Sequence, residues 1–182
     1  MSGFDVSRYG PAIAAILGDG NRLMPLDMGT PLVELRPALE RFDPLRDIAK
    51  VVNAEAARAC HAGLWLYANF FDESHEISQD IHSPLGSAWH AILHRREPDA
   101  GNSQYWWRRV GRLPIFEPLQ LAAKERGYSY TTPEAFVNYC ERVRGSGSTD
   151  EDTAKLVQLC EWQLLFDYCF SLSIGSGNQI RL

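Results

Sequence analysis

The chain has 182 residues, of which 45% are hydrophobic and 23% are charged, and its formal net charge is −5. This length and composition fit one globular domain with a substantial core and argue against a disordered chain. The negative charge argues against a protein that coats nucleic acid or an anionic membrane.

The sequence lacks the apolar run of roughly 20 residues that a membrane-spanning helix needs. The N-terminus also lacks a basic segment followed by an apolar one and a cleavage site, so we expect a cytoplasmic protein rather than a secreted one. No C-x-x-C pair is present, and the cysteines stand among apolar residues, which predicts buried reduced thiols. The four cysteines are Cys60, Cys140, Cys160 and Cys169.

Residues 1–42 are rich in glycine and proline and are predicted to form an irregular arm ahead of a single helical domain, residues 43–182. One short helix is expected within the arm, from Pro11 to Leu17, and Gly18 ends it. The rest of the arm is expected either to wrap the domain or to be partly mobile.

Helical spacing of apolar residues predicts the elements that follow the arm. Asp43 and Pro44 begin a helix that is expected to continue to Phe71. A shorter helix is predicted over 72–81, and a further one begins at Ser83-Pro84 and ends near residue 97.

Four more helices are predicted in the second half of the chain. Asn102 is expected to cap the first, which Gly111 ends, and the second covers 114–126. Thr132 begins the third, and the loop 145–148 follows it.

Thr149, with Asp152 three residues later, resembles a capping box at the start of the last helix, which is predicted to end near Ile174. No run alternates apolar and polar residues convincingly, so no strand is predicted. The expected fold is all-α, with about six or seven non-repeating helices in a single domain.

Three of the five histidines, His75, His90 and His94, lie in one short segment. His90 and His94 are four residues apart and Glu97 follows three residues later, so these three share one face of a helix. The preceding helix carries Asp72 and His75, and a tight turn joins the two helices. We expect the two polar faces to come together.

Imidazoles four residues apart, with a carboxylate nearby, suit zinc, iron or manganese. The predicted metal ligands are His75, His90 and His94, with Asp72 either orienting His75 or serving as a ligand itself. The metalloprotease pattern H-E-x-x-H is absent, because Ala91 stands where the glutamate would be.

Two other interpretations use the same residues. In one, His90 and His94 belong to a buried polar network that fixes how the helices pack. In the other, a histidine acts as a general base without metal, and a carboxylate orients it. The candidate catalytic residues are His75, Glu97 and Asp72.

A basic and aromatic stretch follows over residues 94–112, where five arginines stand against two carboxylates. Arginines beside aromatic rings suit an anionic small molecule, and the candidate ligand-binding residues are Arg95, Arg109 and Asn102. Alternatively, the arginines pair with acids on neighbouring helices while the tryptophans fill the core. The acidic total and the lack of any known nucleic-acid-binding motif argue against nucleic acid.

Several unusual blocks occur in this segment: Asp72-x-x-His75, Trp89-His90-x-x-x-His94-Arg-Arg-Glu-Pro-Asp99 and Tyr105-Trp106-x-Arg108-Arg109-Val-Gly111. Together with a block at 161–169, they resemble a family of small uncharacterised all-helical proteins. The resemblance covers about 63–116 and the C-terminal helix, and does not include the arm. It implies an all-helical fold and carries over no catalytic residue, because the family has no assigned activity.

Two functions follow from these patterns. The first is an enzyme or binder of a small molecule, with a pocket built from the histidines, the acids and an arginine, in which His90 and His94 are either metal ligands or acid and base groups. The second is a protein-interaction module in which the same residues form a structural network. The last helix is apolar on too many sides for a lone surface helix, which suggests a homodimer.

Overall fold

The structure is a computed structural model that describes residues 4–176, and this part of the chain forms helices and no strands. The all-α prediction is therefore confirmed, but ten α-helices are found in residues 4–176 where six or seven were predicted. The helices are α1 Pro11–Leu17, α2 Arg36–Arg41, α3 Pro44–Asp47, α4 Ala54–Tyr67, α5 Phe71–Gln79, α6 Pro84–Arg96, α7 Ala100–Val110, α8 Phe116–Glu125, α9 Pro133–Val143 and α10 Thr149–Ser173. Short 3₁₀ helices cover Val6–Tyr9 and Val33–Leu35.

The single long helix predicted over 44–71 is wrong, because the chain bends between α3 and α4. Lys50 has a φ of +59°, which an α-helix does not tolerate. The helix restarts after Asn53, whose side chain accepts a backbone N–H of the first turn of α4. A residue far along the chain stabilises the bend, since the backbone N–H groups of Val52 and Asn53 both donate to the Ser173 carbonyl oxygen.

Side-chain caps set several helix starts. Asp43 caps α3 and Thr132 caps α9, as predicted. The predicted cap of α7 is wrong: Asp99, three residues before Asn102, accepts the Asn102 backbone N–H at 3.0 Å. The side chain of Asn102 is therefore free for another role.

The predicted cap of α10 at Thr149 and Asp152 is wrong by one residue. Ser148 is the N-cap, and its Oγ accepts the Glu151 backbone N–H at 3.3 Å. The Glu151 carboxylate accepts the Gly147 backbone N–H at 2.8 Å in return. Glutamate is the usual acid in a capping box because its longer side chain can fold back over the first turn.

α6 lies at the centre of the molecule, and every residue from Leu85 to Arg96 is buried. Two glycines allow this close packing. A Cβ on Gly63 of α4 would lie 2.7 Å from the Trp89 ring, and one on Gly86 would lie 2.1 Å from the Ile81 carbonyl oxygen. The polar residues in this stretch of α6 are therefore mostly enclosed by protein, and the partners of each one show what it does.

The irregular segment 18–32 of the arm packs against the core. Met24 and Leu26 are each 1% exposed. Four long polar side chains from the helical domain hold the segment by its backbone carbonyl groups. These donors are Arg96, Arg144, Gln158 and Gln163.

Cysteines and tryptophans make up part of the interior. All four cysteines are free and buried, as predicted. Trp89 and Trp162 are fully buried and Trp65 is 5% exposed. Within residues 4–176, no helix is both long enough and apolar enough to cross a membrane.

Candidate metal centre

Three histidine side chains from two helices meet beside the first half of α7. His75 comes from α5, while His90 and His94 stand one turn apart on α6. The ring centroids are 4.3 Å apart for His75 and His90, and 4.8 Å apart for His90 and His94. One ring nitrogen of each histidine lies within 4.8 Å of the other two. The structure thus brings together the three histidines that the sequence analysis selected.

The cluster is buried on one side and partly open on the other. His90 is 3% exposed and His94 is 7% exposed, whereas His75 is half-buried. Burial lowers the pKa of the His90 imidazole to about 3, and the His75 and His94 rings act in the same direction. Burial also lowers the pKa of His94, although the Glu97 carboxylate opposes that shift. Both rings are therefore neutral at pH 7 and keep a lone pair for a ligand or a metal ion.

Ser78 fixes the tautomer of His90. Its hydroxyl donates to the His75 carbonyl oxygen at 3.2 Å and lies 3.1 Å from His90 Nδ1. Because the hydroxyl has a single hydrogen, its oxygen accepts from Nδ1–H of His90. The lone pair of His90 is then on Nε2, in the arrangement usual for a metal-binding histidine.

His94 has a neighbour at each ring nitrogen. Its Nδ1 lies 2.7 Å from Glu97 Oε2, in an ion-pair contact that lacks hydrogen-bond geometry. Its Nε2 lies 3.1 Å from Asn102 Nδ2 on α7, which donates to it. A carboxylate at Nδ1 favours a proton there, so the lone pair is on Nε2 and faces Asn102.

Aromatic and basic residues of α7 border the cluster. The Trp106 ring lies 4.3 Å from the His90 ring, and the Arg109 guanidinium lies 5.3 Å above Trp106. Arg109 also donates to the Tyr105 hydroxyl at 3.4 Å. Arg109 is exposed, and no carboxylate of residues 4–176 forms an ion pair with it. Its charge is therefore available to an anion at the edge of the site.

Two of the predicted site residues lie elsewhere. Arg95 is fully buried and donates to Glu161 at 2.6 Å and to Gln158 at 3.3 Å, so it is committed to α10. Adjacent residues on a helix point about 100° apart, which is why Arg95 and His94 face different neighbours. Asp72 is exposed, and within the described chain no hydrogen bond or ion pair joins it to His75.

Ser78 is a site residue that the sequence analysis did not select. It stands three residues after His75, so helical spacing alone places it on the same face of α5. Its partner is His90, twelve residues away on the next helix. The spacing was therefore visible in the sequence, whereas the contact was not.

No protein-family model, curated protein or solved structure matches this chain. The roles of the site residues are accordingly argued from their own geometry. The resemblance of the sequence blocks to a family of small helical proteins stays a prediction.

Proposed function

We propose that the protein is a metal-dependent enzyme acting on a small molecule, with His75, His90 and His94 as the ligands of one divalent transition metal ion. A single observation carries the proposal: three imidazole nitrogens from two helices lie within 4.8 Å of one another. Around a tetrahedral zinc ion with Zn–N bonds of about 2.0–2.1 Å, such nitrogens lie roughly 3.3 Å apart. The three nitrogens would therefore move closer together when the ion binds.

The donor set favours zinc over the other metals considered. Three neutral imidazoles are a common ligand set for catalytic zinc, whereas iron and manganese sites more often include carboxylates or water. Three protein ligands also leave a fourth position open, which distinguishes catalytic zinc sites from structural ones. A metal ion in such a site lowers the pKa of a bound water to about 7, so the proposed reaction class is hydrolysis.

The surroundings of the three rings support the same proposal. Ser78 and Glu97 each contact a Nδ1 atom, which is how outer groups orient metal-binding histidines. Arg109 offers an unpaired charge beside Trp106, so the substrate we propose is anionic. The ligands stand on helices, which keeps their spacing fixed.

A second candidate function is a structural network in a protein-interaction module. Two contacts favour it, because the Trp106 ring packs on His90 and the Asn102 amide donates to His94. Under this alternative the histidines join α6 to α7 and bind no metal.

Metal titration of the chelator-treated full chain separates the two functions. We expect one zinc ion per chain by elemental analysis and by calorimetry, and a higher melting temperature with zinc, since a ligand that binds only the folded state stabilises it. His90→Ala and His94→Ala should each abolish the high-affinity site. His82→Ala is the matched control, because His82 is an exposed histidine outside the cluster and should leave binding unchanged.

The structural alternative predicts a different pattern. The wild-type chain would bind no metal at stoichiometric concentration, and chelator would leave its melting temperature unchanged. Equal zinc binding by the wild type and by both His90→Ala and His94→Ala would also contradict the proposed centre.

A further inference from the structure

We infer that Asn102 is a displaceable cap on the third metal ligand: its amide occupies His94 Nε2 in the metal-free protein and must leave when the ion binds. The inference rests on the proposed function and adds a residue that regulates the same site. It starts from one contact, in which Asn102 Nδ2 lies 3.1 Å from His94 Nε2.

The metal ion and the Asn102 amide compete for the same lone pair. A neutral imidazole has one unprotonated nitrogen, and that nitrogen cannot accept a hydrogen bond and bind a metal ion along the same direction. Glu97, 2.7 Å from Nδ1, favours the proton on that side of the ring. The atom of His94 that can bind metal is therefore the one that Asn102 covers.

Ser78 and Asn102 act on their histidines in opposite ways. Ser78 contacts Nδ1 of His90 and leaves Nε2 of that ring uncovered. Asn102 contacts Nε2 of His94, which is the ligand atom itself. Removing Ser78 should weaken metal binding, because the tautomer is no longer fixed, whereas removing Asn102 should strengthen it.

The fold lets the Asn102 side chain move away from His94 at a small cost in free energy. The Asn102 backbone is fixed in the first turn of α7, where its N–H donates to Asp99 Oδ1 at 3.0 Å. Asn102 is only half-buried, so its side chain can rotate away while the helix stays in place. A rotated amide remains beside the open side of the centre, where its N–H groups can donate to an oxygen of a bound substrate. Asn102 is on this account a positioning residue for the substrate as well as the cap of His94.

Zinc titration of chelator-treated Asn102→Ala tests the inference. The variant should bind zinc about threefold to tenfold more tightly than the wild type, because it no longer breaks a hydrogen bond of ordinary strength on loading. Its metal-free form should melt at a lower temperature than the metal-free wild type, because the same bond is missing. If Asn102 had only a structural role, its removal would lower the melting temperature without tightening metal binding. The inference requires a lower melting temperature of the metal-free form together with a higher affinity for zinc.

Gln104→Ala is the matched control. Gln104 is also on α7, and its side-chain amide donates to Asn138 at 2.7 Å, away from the histidines. This variant loses a comparable amide hydrogen bond and should leave zinc affinity unchanged. Asn102→Leu, which keeps the size of the side chain without its hydrogen bonds, repeats the measurement if the alanine variant does not fold.

The outcomes separate this inference from the proposed function. Zinc binding by the wild type with unchanged or weaker binding by both Asn102 variants overturns the cap and leaves the metal centre standing. Zinc binding by an Asn102 variant but not by the wild type supports both. Absence of zinc binding in the wild type and in both variants overturns both.

Discussion

The two sides of α6 carry similar polar residues, but their hydrogen bonds differ greatly in number. Arg96 is fully buried and donates to the Asn69 side chain at 2.6 Å. It also donates to four backbone carbonyl groups, those of Pro25, Asp27, Met28 and Leu66. On the other side, His90 and His94 are also buried, yet neither side chain makes a hydrogen bond to a backbone group within the described chain.

This difference distinguishes a structural polar residue from a candidate functional one better than clustering in the sequence does. Arg95 and Arg96 are committed to α10 and to the arm, and moving them would leave buried groups without partners. His90 is held by one hydroxyl and one aromatic ring and keeps a free lone pair on Nε2. A side chain with spare bonding capacity beside a partly open edge of the protein can accept a ligand, whereas the unpartnered Nε and Nη1 atoms of Arg95 lie in the closed interior.

The largest expected effect is on the arginine side. Glu161→Leu leaves Arg95 buried without its carboxylate, and we expect a loss of about 3–5 kcal/mol in the free energy of unfolding. Glu73→Leu is the matched control, because the Arg36–Glu73 ion pair has the same 2.6 Å separation but is partly exposed. Its loss in stability should be much smaller, because solvent screens an exposed ion pair. Denaturant unfolding measures the loss of stability in both variants. Equal losses would show that burial does not decide how much each ion pair contributes.

Removal of Arg96 should have the next largest effect. Arg96→Met leaves several carbonyl oxygens and the Asn69 amide oxygen without a donor, which we expect to cost about 3 kcal/mol. Hydrogen exchange should also become faster in residues 18–32, because their main contact with α6 is lost. Arg109→Met, at an exposed position, should change stability by less than about 0.5 kcal/mol. Unchanged exchange in the Arg96 variant would show that apolar packing and the other side-chain donors hold the arm without Arg96.

The smallest effect concerns pH in the metal-free protein. The folded-state pKa of His90 is lowered to about 3 from its unfolded value near 6.5. The unfolded chain therefore binds more protons than the folded one between these two pH values. The stability that the neutral His90 ring contributes is fully present above pH 6.5 and is lost as the pH falls towards 3. The pKa of His94 is lowered in the same direction, and the other titratable groups that act on the His94 ring are His75, Glu97 and Asp99.

Denaturant unfolding at pH 7, 5 and 4 checks this sign against a His90→Gln variant. The wild type should lose more stability on acidification than the variant does, since the variant lacks the buried imidazole. The carboxylates titrate in both proteins and cancel in the difference. A larger acid loss in the variant would mean that the charged form of His90 is stabilised by the fold.

Much of the fold could be predicted from the sequence because the responsible interactions are local. Periodic apolar residues predicted the all-α class, and the caps Asp43 and Thr132 each bond a backbone N–H two or three residues away. The placement of His90 and His94 on one face likewise needs only four residues of helix. The bend at Lys50 could not be predicted, because the Ser173 carbonyl that holds it belongs to the other end of the domain.

The sequence by itself determined which polar residues lie together on a helix, and tertiary structure alone decided which of them are still free to bind a ligand. Arg95 was selected as a ligand-binding residue because it belongs to the basic and aromatic stretch 94–112, but its partner Glu161 is 66 residues away. Asn102 was selected on similar grounds and does reach the site, through a contact with another helix. Local spacing fixes the direction of a side chain relative to its own helix, whereas its remaining bonding capacity depends on what distant segments bring against it.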